Sequence, residues 1–213
     1  YTTLFRSQTE LTEAIIGMHG KTAGSIELDG NQLIGKNVKQ VLDLGVGFVP
    51  EDRTEDGLVA DFTIAENLML DRSDRKPFAK GISLQLEFLK KFAQEKLAQF
   101  DIRAQGIESK ASELSGGNQQ KVVLARELSR DLRLFVASQP TRGLDVGSIE
   151  FVHEQIVATR DSGIPVLIVA TELDEATQLG DRIAVMYRGK IVGIVPSDTP
   201  RSVLGQMMAG ISA

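Results

Sequence analysis

Short apolar runs and longer stretches of helically spaced apolar residues follow one another along the chain, and this alternation predicts an α/β fold with buried strands between helices. The runs are Val46 to Val49 (VGFV), Leu132 to Ala137 (LRLFVA) and Pro165 to Ala170 (PVLIVA), each short enough for a covered strand. Helical spacing marks Thr12 to Ile16, closed by Gly17, and Thr63 to Leu70, where Thr63 and Glu66 form a capping box. It returns from Leu84 to Phe100, with a stripe of Leu86, Phe88, Leu89, Phe92, Leu97 and Phe100, and from Ile149 to Arg160, closed by Ser162-Gly163. Residues 71–81 are polar, contain Pro77 and Gly81, and are expected to be a loop. Ile183 to Tyr187 and Lys190 to Val195 predict a hairpin about Arg188-Gly189, followed by a short helix, Val203 to Met208, whose Met207 and Met208 are expected to pack.

Composition narrows the function classes. At 213 residues the chain suits one α/β domain with a small subdomain. A net charge of -5 gives no global basic footprint, so no nucleic-acid partner is expected. There is no cysteine for a disulfide or a thiolate metal site, and with only His19 and His153 a multi-histidine metal centre is nearly ruled out. His153 is expected to be structural or on the surface. No apolar run reaches the roughly 20 residues that span a bilayer, so any membrane role requires a partner. Lys90, Lys91 and Lys96 read as a solvated helix face.

Chemistry concentrates in Leu114-Ser115-Gly116-Gly117-Asn118-Gln119-Gln120-Lys121. Ser115 can cap a first helical turn, two glycines allow close approach of a ligand to the backbone, and the helix start offers unpaired N–H groups to an anion such as a terminal phosphate. The helix continues to Arg130 with Val122, Val123, Leu124, Ala125 and Leu128 as its apolar face and Lys121, Arg126, Glu127 and Arg130 as polar positions. LSGGNQQK resembles the signature motif of ABC-type ATPases, in the variant of the sugar and nucleoside importers. The resemblance implies a P-loop NTPase fold of the ABC nucleotide-binding type: a mixed sheet flanked by helices, a helical signature subdomain over roughly residues 63–130, and an antiparallel β part.

Under that resemblance the remaining motifs depart together from an active ATPase. The opening Tyr1 to Ser7 (YTTLFRS) looks like a translated sequencing adapter and is set aside, which leaves residues 8–213 as a nucleotide-binding domain cut at its P-loop. Gln8 then falls where the P-loop lysine would reach the phosphates and Thr9 where its hydroxyl would hold Mg2+. Helix 12–16 follows, and Ala23 to Gly30 leads into the next strand. Glu51, in Pro50-Glu51-Asp52-Arg53, takes the place of the Q-loop glutamine. Ser138 and Gln139 stand where the strand end would carry an aspartate for Mg2+ and a glutamate for water; a neutral amide accepts no proton at pH 7, and loss of a general base costs about 10²- to 10⁴-fold in rate. Thr171 replaces the switch histidine, a hydrogen-bond donor in place of a group able to become a cation. Glu172 and Asp174 beside it read as helix-start charges. Asp145, in Gly143-Leu144-Asp145, completes an intact D-loop, and SQPTRGLDVGSIEFVH is closer to nucleoside than to sugar importers.

The resemblance thus implies the second half of a fused ATPase. Its signature, Ser115 to Gln119, would complete an ATP site on a missing N-terminal half, while its own site, with ATP and Mg2+ as the expected ligands, would be weak or inactive. Transmembrane permease subunits would be direct partners and an extracytoplasmic solute-binding protein an indirect one, with the chain at the cytoplasmic face of the membrane. A different class, a non-transport ABC protein acting as an ATP-gated clamp in translation or DNA maintenance, fits less well, because the sequence has no long coiled coil and no basic stripe.

Overall fold

The computed structural model describes residues 3–20 and 22–211. In chain order the elements are α1 (Thr3–Ile16), β1 (Glu27–Leu28), β2 (Asn31–Gln32), α2 (Val38–Asp43), β3 (Val46–Val49), α3 (Ile64–Met69), β4 (Ala79–Lys80), β5 (Ser83–Leu84) and α4 (Leu86–Gln99). They continue with α5 (Gly116–Glu127), β6 (Leu134–Ser138), α6 (Val146–Asp161), β7 (Val166–Val169), α7 (Leu173–Leu179), β8 (Arg182–Tyr187), β9 (Lys190–Pro196) and α8 (Arg201–Met208). A π turn over Arg53–Gly57 and a 3₁₀ turn over Ala111–Glu113 complete the set.

The chain folds as two compact units. A sheet unit runs up to Phe48 and takes in Arg133–Gln139 and everything from Ile156 onward. Its central sheet has the order β3-β6-β7, with β6 and β7 parallel from Phe135 opposite Val166 to Ser138 opposite Val169. The apolar runs of the sequence are these three strands. Ile15, Ile16, Leu33, Val41, Val46 and Val136 form its core, and Leu11, Leu134 and Leu167 pack against it. The β8–β9 hairpin turns at Arg188-Gly189, both at positive φ, and packs Val185 against Leu204 and Met207 of α8. Met207 therefore packs as expected, but Met208 is half exposed.

The helical unit comprises Val49–Leu132 and Pro140–Gln155. Thr63 caps α3 by the expected reciprocal bonds: its side chain accepts from the Glu66 N–H, and a Glu66 carboxylate oxygen accepts from the Thr63 N–H at 2.8 Å. Phe78 is buried against Phe88 and Phe92 in edge contacts, centroids 5.3 and 5.1 Å apart. Two sequence expectations need correction here. The stretch 71–81 contains β4, and Leu84 belongs to β5, so a small hairpin stands where a loop and a helix start were expected. Its four residues alternate too briefly to register as strands. Lys90 and Lys91 are solvated, but Lys96 lies partly buried with its Nζ 5.5 Å from the Phe92 ring and 5.9 Å from that of Phe100, and burial lowers its pKa.

Candidate functional site

The signature loop is built from its own hydrogen bonds. Ser115 is extended at φ −62° and ψ 156°, and its Oγ accepts from the Asn118 N–H at 3.4 Å and from Asn118 Nδ2 at 3.0 Å. Asn118 Oδ1 accepts from the Arg103 N–H at 2.8 Å, and Gln119 Nε2 donates to the Ala111 carbonyl at 3.0 Å. Asn118 and Gln119, expected among the ligand residues, thus use their amides to hold the loop to its own unit.

The two glycines are required by close packing. A Cβ on Gly116 would stand 2.6 Å from Nη2 of Arg53, and one on Gly117 would stand 2.1 Å from Oγ of Ser148 and 3.2 Å from an Asp145 carboxylate oxygen. Asp145 is held in turn: its Oδ1 accepts from the Ser148 N–H at 2.9 Å and its Oδ2 from the Ser148 hydroxyl at 2.8 Å, and these bonds lower its pKa. Arg53 Nη1 donates to the Arg142 carbonyl at 3.0 Å, and the Arg142 guanidinium pairs with Glu51. Glu51, Arg53, Gly116, Gly117, Arg142, Asp145 and Ser148 therefore form one continuous face of the helical unit. Sequence reading found Glu51, the glycines and Asp145 but gave no role to Arg53, Arg142 or Ser148. Arg53 follows two residues after Glu51 in PEDR, and Arg142 and Ser148 flank Asp145, so adjacency to the named motifs was the available signal.

Behind this face α5 departs from the expected amphipathic pattern. Lys121, Arg126 and Glu127 are buried, not solvated. Glu127 accepts from Arg126 Nε at 2.7 Å and from Arg130 Nε at 2.8 Å, Arg126 donates to the Gly57 carbonyl at 2.7 Å, and Arg130 pairs with Asp71 at 2.6 Å. Burial pushes the Glu127 pKa up, but the guanidinium groups of Arg126 and Arg130 outweigh it and hold the carboxyl below its ordinary value. Lys121 bonds to Asp101 at 2.9 Å with its Nζ 4.6 Å from the Phe151 ring. Charge pairing explains the correction: each buried cation meets a carboxylate or a carbonyl, so a polar residue need not face water.

The sheet unit carries the positions expected for the chain's own site. β6 ends at Ser138, 1% exposed, whose Oγ is buried with no hydrogen-bond partner among the described residues. Gln139 turns the chain out of the sheet at φ 46°, an uncommon conformation outside glycine, and its N–H donates to the Val169 carbonyl at 2.7 Å. Thr171 is exposed just beyond β7. Gln8 and Thr9 lie inside α1, not at its opening as expected, because helix continues back to Thr3; apart from Tyr1 and Thr2, which fall outside the described residues, the adapter-like heptad forms part of that helix. The Thr9 carbonyl accepts from the Thr12 hydroxyl at 2.8 Å. No cluster of three or more His, Cys, Asp or Glu residues suited to a metal occurs among the described residues.

A family model described as ABC transporter matches residues 8–142. The chain belongs to this family. It is 44% identical over 204 residues to the nucleoside import ATP-binding protein NupA of Lactococcus lactis subsp. cremoris (strain MG1363), covering 95% of this chain and 40% of that protein. It is 42% identical over 205 residues to the guanosine import ATP-binding protein NupO of Bacillus subtilis (strain 168), with the same two coverages. The ribose import ATP-binding protein RbsA of Halalkalibacterium halodurans is 34% identical over 191 residues, covering 90% of this chain and 38% of that protein. The chain thus spans about two-fifths of the length of these curated relatives. Among solved structures, a dimeric ATP-binding cassette in a post-hydrolysis state with ADP and Pi superposes with a TM-score of 0.74 at 22% identity, covering 91% of this chain and 82% of that one. That likeness places the chain in the ABC-type P-loop NTPase fold.

Proposed function

We propose that this ABC transporter chain is the second nucleotide-binding half of an importer ATPase, spanning residues 8–213, whose signature Ser115 to Gln119 closes on ATP held by a preceding half. Nucleoside uptake is the favoured cargo class, with sugar uptake the alternative, in keeping with what NupA, NupO and RbsA are named for. The observation that carries the reading is the difference between two places in the chain. The signature face has a capped serine, glycines packed without room for a Cβ, and a carboxylate and guanidinium fixed around them. The chain's own strand end has neutral Ser138 and Gln139.

Those residues fit a terminal phosphate at the signature: glycine backbone, the Ser115 hydroxyl and the start of a twelve-residue helix all favour an anion. ATP bound there would supply the phosphoryl group and the energy of closure, while Ser115, Gly116 and Gly117 orient it and exclude water. Gln139 can orient a water by hydrogen bonds without accepting its proton, and Thr171 can donate a hydrogen bond without carrying charge. Gln8, Thr9, Glu51 and Asp145 would contact nucleotide from this half, and Thr9 and Ser138 would face Mg2+ only weakly. Peripheral attachment at the cytoplasmic face through permease subunits follows from the same reading, since no helix among the described residues is long and apolar enough to cross a membrane. The test is Ser115→Arg in the full-length ATPase reconstituted with its permease. ATPase activity is expected to fall at least about a hundredfold, the scale of a misplaced phosphate contact; activity near wild type removes the proposal.

A further inference from the structure

The Arg53 guanidinium lies directly against Gly116 and makes no salt bridge among the described residues, although the adjacent Asp52 carboxylate feels its charge. Its Nη1 is satisfied by the Arg142 carbonyl at 3.0 Å, while its Nε is buried without a hydrogen-bond partner. Nη2 lies where a Cβ of Gly116 would be, so the cation occupies the space the first signature glycine leaves open. The arm is fixed from behind. Asp52 caps the turn that Arg53 begins, its Oδ1 accepting from the Thr54 N–H at 2.9 Å and from the Glu55 N–H at 3.2 Å. Arg142, which takes the Nη1 bond on its carbonyl, is itself tethered to Glu51.

A guanidinium held beside a helix start, with its Nη2 toward the first signature glycine, carries the charge and a donor that a phosphate oxygen matches. We infer that Arg53 is a phosphate-binding residue of the signature face: it contacts the terminal phosphate of the nucleotide held by the preceding half, supplying in trans a positive charge that the signature backbone alone does not carry. This inference rests on the reading above that the signature closes on a partner's ATP. It gives a reason for glycine at position 116. A methyl group there would displace the guanidinium as well as crowd the ligand.

The experiment measures ATP and ADP affinities and ATPase kinetics of the full-length protein with its permease, for wild type, Arg53→Gln, Arg53→Lys and Ser115→Arg. A terminal-phosphate contact predicts that Arg53→Gln weakens ATP binding about ten- to a hundredfold, the scale of one charged hydrogen bond, with ADP affinity unchanged. Arg53→Lys restores part of the loss because it keeps the charge. If Arg53→Gln folds poorly, Arg53→Lys carries the test: a selective loss of ATP affinity with ADP affinity unchanged supports the contact, and wild-type ATP affinity overturns it. If Ser115→Arg abolishes activity while Arg53→Gln keeps wild-type ATP affinity, or lowers ATP and ADP affinity alike, Arg53 has only a scaffolding role and the inference is overturned. If Ser115→Arg is itself active, the inference falls together with the reading beneath it.

Discussion

The signature face and the end of β6 are both places where a loop could meet phosphate, and they are built in opposite ways. Around Gly116 and Gly117 the side chains of Arg53, Arg142, Glu51 and Asp145 carry charge and each is held by at least one hydrogen bond, although Nε of Arg53 is buried without a partner. At the end of β6 the side chain that should carry charge is a buried hydroxyl without a partner. Such an orphan costs about 1–3 kcal/mol relative to a satisfied one. The difference teaches that neutral residues at one strand end need not go with loose packing elsewhere: Ser138 and Gln139 carry no charge, while a second surface of the same chain keeps its glycines in close contact with neighbouring side chains.

The sharpest way to break the contrast is to weaken what lies behind the signature. Glu127→Ala leaves Arg126 and Arg130 buried without their shared carboxylate, and an expected loss of about 3–5 kcal/mol would show in denaturant unfolding of the full-length protein. A change below about 1 kcal/mol would mean that the network does not support α5. Next in size is Ser138→Asp, which restores the residue type of an active strand end but places a carboxylate at a site 1% exposed, with no cation to pair it among the described contacts. A loss of about 2–3 kcal/mol is expected in the same assay, and a gain would show that the strand end is still poised for a charge.

Acid sensitivity probes the same network more gently. The folded pKa of Glu127 lies below its unfolded value of about 4.3, so its stabilising contribution is complete above that value and disappears as pH falls through the folded pKa. Glu127→Gln should therefore flatten the decline in stability below about pH 4.5, measured by urea unfolding across pH; an unchanged slope would assign acid sensitivity elsewhere. The smallest effect belongs to Gln139→Glu, expected under the proposed function to alter the ATPase rate of the reconstituted protein by less than about twofold, because Gln8 and Thr171 remain neutral as well. A tenfold gain would show that the site lacks only its base.

Much of this was legible in the sequence, for local reasons. Thr63 and Glu66 announce their cap because both partners sit within one turn, and VGFV, LFVAS and VLIV read as strands because burial on both faces leaves no polar alternation. Ser115 was legible for the same reason. What escaped was non-local. The burial of Arg126 and Glu127 depends on Gly57 and Asp71, more than fifty residues away in the chain, and no periodicity reports a partner at that distance. Arg53 escaped likewise, since its place against Gly116 is set by the turn that Asp52 caps. Gln8 and Thr9 were placed at a helix start from the resemblance, and α1 extends past them to Thr3.

The contact of Gly117 with Ser148 also constrains how such a sequence can drift. With only 2.1 Å between a would-be Cβ and the serine hydroxyl, a side chain at 117 requires that hydroxyl to turn away from Asp145 or position 148 to shorten. Shortening it strips Asp145 of its hydroxyl donor. Positions 117, 145 and 148 are thereby coupled into one heritable unit, and substitutions in it should tend to arise jointly.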